Sequence, residues 1–112
     1  MANCSTNLDT LFHALADPTR RAVVHQLVMA PASVKELAKP FAMALPSFMK
    51  HLGVLEACGL ITTSKKGRVR TCRLRLRQLA KAENWLVEQR RLWEGRTDRL
   101  AEYVENTLTK EE

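Results

Sequence analysis

The chain has 112 residues, 46% hydrophobic and 27% charged, which fits a single soluble domain with its own core and excludes a disordered one. Eighteen Lys and Arg against 12 Asp and Glu give a formal charge of +6, suited to a partner that carries negative charge. No apolar run exceeds six residues (27–32 and 41–46), against about 20 for a membrane span. The first ten residues have no basic and apolar leader pattern. Three cysteines are an odd number in a chain that needs no disulfides, so a cytoplasmic protein is expected.

In chain order, Leu8, Leu11, Phe12, Leu15 and Ala16 recur on one helical face, with Thr6 or Asn7 as the cap, and predict a helix over about 7–16. Asp17-Pro18 restarts the chain as N-cap and first helical residue. Val23, Val24, Leu27 and Val28 then form the apolar face, and Pro31 lies past the end. Ser33 and Glu36 have capping-box spacing and open a short helix with Leu37, Ala38 and Phe41 inward. A fourth helix over about 45–57 has Leu45, Phe48, Leu52 and Leu55 at core spacing, Ser47, Lys50 and His51 on the opposite side, and Gly59 as its C-cap glycine.

The period then changes from 3.6 to 2. Residues 60–64 and 69–76 flank Lys66-Gly67 and predict a hairpin. Cys72, Leu74 and Leu76 share one face, and Thr71, Arg73 and Arg75 the other. A helix over about 78–108 follows, with Leu79, Ala82, Trp85, Leu86, Trp93, Leu100 and Tyr103 in an apolar stripe wider than one small domain can cover. Over about 30 residues such a helix is roughly 45 Å long and overhangs the domain.

The charge has an address. Residues 41–82 hold nine bases and one acid, Glu56, whereas 83–112 hold five bases and eight acids. Eight bases, from Lys65 to Lys81, fall in 17 residues without an acid. Lys and Arg also blunt sheet edges, but a surface facing polyphosphate explains why no acid is interleaved.

The predicted fold is mainly α with a small β-hairpin: helix-helix-helix-helix-strand-strand-helix, the plan of a winged helix-turn-helix, in one domain over 1–112. In helix-turn-helix proteins the second helix enters the major groove. Ser47, Lys50 and His51 are therefore candidate DNA contacts on that helix, and Lys65, Lys66, Arg68 and Arg70 on the wing, 61–76.

Two segments also carry a family resemblance. Leu11-Phe-His-Ala-Leu-Ala-Asp-Pro-Thr-Arg-Arg21 resembles the F-x-A-L-A-D-P-T-R-R opening of the bacterial ArsR (ArsR/SmtB-type) winged-helix transcriptional repressors. Lys50-His-Leu-Gly-Val-Leu-Glu-Ala-Cys-Gly-Leu60 resembles their recognition segment K-H-L-x-V-L-E-x-x-G-L, with Gly67-Arg68 at the wing. The likeness runs from residue 8 to about 105. It implies a homodimer formed through the first and last helices on a near-palindromic operator. That places Leu8, Leu11, Phe12, Trp85, Leu86, Trp93 and Leu100 at the dimer interface.

The chain departs from the family's sensor sites. The stretch 34–42 has no Cys-x-Cys, and 78–108 contains no histidine. The long last helix with Trp85 and Trp93 resembles the family's sensor-less branch, so neither metal nor other cofactor is expected. Cys58 and Cys72 read as buried structural thiols. His13 and His25 read as surface or interface residues. Arg20 and Arg21 face either phosphate or solvent.

Catalysis is a poor fit: no Gly-rich phosphate loop, carboxylate cluster or nucleophile-base set is present. The leading expectation is a homodimeric, sequence-specific DNA-binding repressor with unknown inducer. The competing readings are a repressor that responds to thiol oxidants or metalloids through Cys4, and a winged-helix protein-interaction module.

Overall fold

A computed structural model describes the backbone of residues 4–110 and the side chains of residues 8–108. The elements are α1 (Cys4–Leu15), α2 (Pro18–Met29), β1 (Ala32–Ser33), α3 (Val34–Ala38), α4 (Leu45–Ala57), β2 (Ile61–Lys66), β3 (Val69–Leu74) and α5 (Leu76–Lys110). One compact unit ends at Ala82, and a second begins at Glu83 within α5.

Local chemistry sets most of the boundaries in the first unit. Asp17 caps α2 by accepting from the Arg20 amide at 3.0 Å, with Pro18 in the first turn. Ser33 and Glu36 form a reciprocal capping box: the Ser33 hydroxyl accepts from the Glu36 amide and Glu36 Oε1 from the Ser33 amide, both at 3.1 Å. The end of α4 is a Schellman turn. Leu60 N–H donates to Leu55 O and Gly59 N–H to Glu56 O, with Gly59 at φ +82°.

β1 is an addition to the expected order. It is only two residues long and pairs antiparallel with β3, Ala32 opposite Cys72 and Ser33 opposite Thr71, giving the sheet order β1-β3-β2. β2 and β3 pair from Ile61–Leu74 to Lys66–Val69, leaving Gly67-Arg68 as the loop. Gly67 has φ +64° and Arg68 has negative φ, so the tip is the glycine-first hairpin turn.

The core joins α1, α2, α3, α4 and the hairpin. Leu11, Val23, Leu37, Phe48, Leu55, Leu60, Ile61 and Cys72 are fully buried, each large side chain contributing about 1.5–3 kcal/mol of transfer free energy. Three residues read as inward are not. Val28 and Leu45 have the right helical phase but are 56% and 57% exposed, because no element covers those ends of their faces. Leu76 is 69% exposed, because the strand ends at Leu74 and its alternation no longer applies.

Candidate nucleic-acid interface

α3, a turn and α4 form the helix-turn-helix. Phe48, Leu52 and Leu55 anchor α4 in the core, which fixes the rotation of the helix and turns Ser47 and Lys50 outward, both exposed. Ala44, at the N-cap, gives the first turn of α4 no side-chain acceptor.

The hairpin carries Lys65, Lys66, Arg68 and Arg70, all exposed. Thr71, Arg73 and Cys72 alternate as expected, with Cys72 fully buried. Arg70 breaks the simple division of the hairpin into an apolar and a basic face, since it shares the parity of Cys72 and Leu74. Its Nη1 donates to Thr63 Oγ1 at 3.0 Å, and that hydroxyl donates to Glu56 Oε2 at 2.6 Å. The one acid of residues 41–82 is thus held by the Thr63 hydroxyl, which itself accepts from the Arg70 guanidinium. The other N–H groups of Arg70 make no hydrogen bond within the described residues.

His51 is placed differently from Ser47 and Lys50. It is half-buried, with Nδ1 3.1 Å from Arg20 Nη1 and 3.6 Å from Asp17 Oδ2. A guanidinium can only donate, so Nδ1 accepts from Arg20; the 3.6 Å separation from Asp17 is too long for a hydrogen bond. Arg20 Nε also donates to Ala14 O at 2.8 Å and Nη2 to His13 O at 3.2 Å, while Arg21 Nη1 donates to Leu15 O at 2.8 Å. Both arginines therefore satisfy the last carbonyls of α1, a helix that ends without a glycine. Arg21 stays exposed, as one of the two sequence readings has it, whereas Arg20 is half-buried among acceptors that lie up to 31 residues away. Asp17 is held below the usual carboxylate range, chiefly by the hydrogen bond it accepts from the Arg20 amide.

Of the expected interface residues, Leu11 is corrected: it is fully buried in the chain's own core and has no surface left for a partner. Leu8 and Phe12 beside it are half-buried. In the second unit, Leu86, Trp93 and Leu100 are 54%, 64% and 62% exposed, and Arg96 stacks on Trp93 at 5.6 Å. Trp85 is also exposed.

Cys58 and Cys72 are buried free thiols, and burial pushes both pKa values up, away from nucleophilic thiolate. The Cys4 side chain lies outside the described residues. Among the described residues no group of His, Cys, Asp and Glu could hold a metal ion, and no helix is long and apolar enough to cross a membrane.

A helix-turn-helix followed by a basic antiparallel hairpin defines the winged helix-turn-helix class. Known proteins of that class resemble the chain in sequence and in fold. Residues 15–64 match the helix-turn-helix domain family model. The chain is 38% identical over 66 residues to the HTH-type transcriptional regulator Rv2034 of Mycobacterium tuberculosis, 59% of this chain and 62% of that protein. Less than two-thirds of that regulator's length is therefore matched. It is 28% identical over 80 residues to the transcriptional repressor SdpR of Bacillus subtilis, covering 71% of this chain and 89% of SdpR. A crystal structure of an ArsR family transcriptional regulator superposes with a TM-score of 0.78 at 56% identity, over 84% of this chain and 97% of that one. The chain belongs to the ArsR family of winged helix-turn-helix transcriptional regulators.

Proposed function

We propose that the protein is a homodimeric, sequence-specific DNA-binding repressor. α4 reads the major groove through Ser47 and Lys50, and the wing grips backbone or minor groove through Lys65, Lys66, Arg68 and Arg70. One observation carries this reading: the exposed cations of α4 and the hairpin belong to one compact unit, and the only acid of residues 41–82, Glu56, is occupied by Thr63. The similarity to a transcriptional repressor supports the direction of regulation. His51, held by Arg20, positions α4 from behind and has only Nε2 left to offer to DNA.

Dimerisation supplies the second half of the site. Exposed Trp85, Leu86, Trp93 and Leu100 recur along α5 and offer a partner an apolar stripe larger than isolated surface residues explain. A two-fold pair of such units reads half-sites about one helical turn apart. Mobility-shift titration on the DNA upstream of the protein's own gene tests the reading, with sedimentation to give the oligomeric state. A dimer whose base preference changes in Lys50→Ala or Ser47→Ala supports it. A monomer that retards no DNA at low salt instead indicates a protein-interaction module.

A further inference from the structure

We infer that the groove between the start of α3, the N-terminal turns of α4 and the hairpin binds a single-chain amphipathic carboxylate, and that its occupation releases DNA. The groove measures about 620 Å³, within the range of small-molecule sites. Its floor is aliphatic: Leu45 is 57%, Val69 53% and Met49 39% exposed. Side chains of this size left uncovered in one place gain about 25 cal/mol per Å² from any apolar chain laid over them.

The charge around that floor is of one sign. Lys35, Lys65, Arg68 and Arg70 line the groove and no carboxylate does. Lys65 and Arg70 are partners across the hairpin, so an anionic head between the strands and α4 meets both. A neutral chain leaves those cations unpaired, and a nucleotide leaves the aliphatic floor unmatched. An alkyl chain with one carboxylate satisfies both. Phosphate contact with DNA uses the same wing cations, so the two occupants exclude each other. This regulatory half rests on the DNA-binding reading above; the binding half does not.

The test titrates the full chain with decanoate, decanol and decyltrimethylammonium, each below its micelle concentration, following the methyl resonances of Val34, Leu45, Met49 and Val69 without DNA. Decanoate should shift these methyls in a saturable manner, and bind about tenfold tighter than decanol, the factor one charge-assisted hydrogen bond supplies. Lys65→Gln/Arg70→Gln should abolish that preference. Leu45→Glu, at an exposed position, should abolish binding itself. Saturating decanoate should also weaken retardation of operator DNA at least tenfold. Absent shifts, shifts confined to α5, or equal affinity for all three probes overturn the site. Saturable binding that leaves DNA affinity unchanged overturns the release. If the protein retards no DNA even without decanoate, the DNA-binding reading fails, and the methyl titration still decides the site.

Discussion

Arg20 and His51 are joined side chain to side chain, Nη1 to Nδ1 at 3.1 Å, across 31 positions of sequence. The same guanidinium holds the carbonyls of His13 and Ala14, so one residue fastens the end of α1 and the back of α4 to α2. The planar fork of Arg is suited to three separate acceptors, and Lys offers a point charge in its place. Arg20→Lys should therefore cost about 1–3 kcal/mol in urea unfolding, by loss of hydrogen bonds from a charged donor. A change within about 0.5 kcal/mol, as for an ordinary surface residue, would show that the anchor contributes nothing. His51→Gln, which keeps an acceptor, should lose less than Arg20→Lys.

Two helix caps set the acid limb of stability. Asp17 is held below its ordinary pKa chiefly by the Arg20 amide, and Glu36 by the Ser33 amide and then its hydroxyl. A carboxylate with a depressed folded pKa binds fewer protons folded than unfolded, so its stabilisation is full above the unfolded value of about 4 and lost as pH falls through the folded one. Unfolding followed from about pH 6 to about pH 2 should show that loss, in the window below about pH 4. Asp17→Asn/Glu36→Gln keeps both capping side chains but removes their charges, and should flatten the limb. An unchanged slope would contradict the assignment.

The glycines of α4 should respond with opposite signs. Gly59 at φ +82° closes the Schellman turn, and an added Cβ would meet Gln78 Nε2 at 2.5 Å, the group that donates to Cys58 O. Gly59→Ala should destabilise by about 1–2 kcal/mol, the cost of a left-handed L-residue. Gly53 lies inside the helix with nothing within 4 Å of an added Cβ, so Gly53→Ala should stabilise by about 0.5–1 kcal/mol. Thermal denaturation of the two variants checks both signs.

What is legible in the sequence is what is local. The Asp17-Pro18 restart, the Ser33–Glu36 box, the Gly59 terminator and the hairpin glycine each act within a few residues, and each stands where its chemistry requires. Non-local matters are not legible. β1 is two residues whose strand character comes only from pairing with β3. Arg20 reads as a surface cation because its acceptors lie six, seven and 31 residues away. Helical phase places Leu45 and Leu11 each on an apolar face but cannot say what covers it. Leu11 is sealed in the core and Leu45 lies open beside the wing. The candidate wing residues are visible through the charge run and Ser47 and Lys50 through helical phase, whereas His51 shares that phase but is drawn inward by a partner from another helix.

The most direct test of the DNA-binding account is the salt dependence of operator affinity in wild type and in Arg68→Ala/Arg70→Ala. Roughly six to ten phosphates neutralised by a dimer would lower wild-type affinity about 10³- to 10⁵-fold between about 50 and about 200 mM salt. The double variant should bind all sequences more weakly, with a log–log slope shallower by about 0.9 for each phosphate that it no longer neutralises. An unchanged affinity and an unchanged slope would contradict the wing assignment and, with it, the proposed mode of binding.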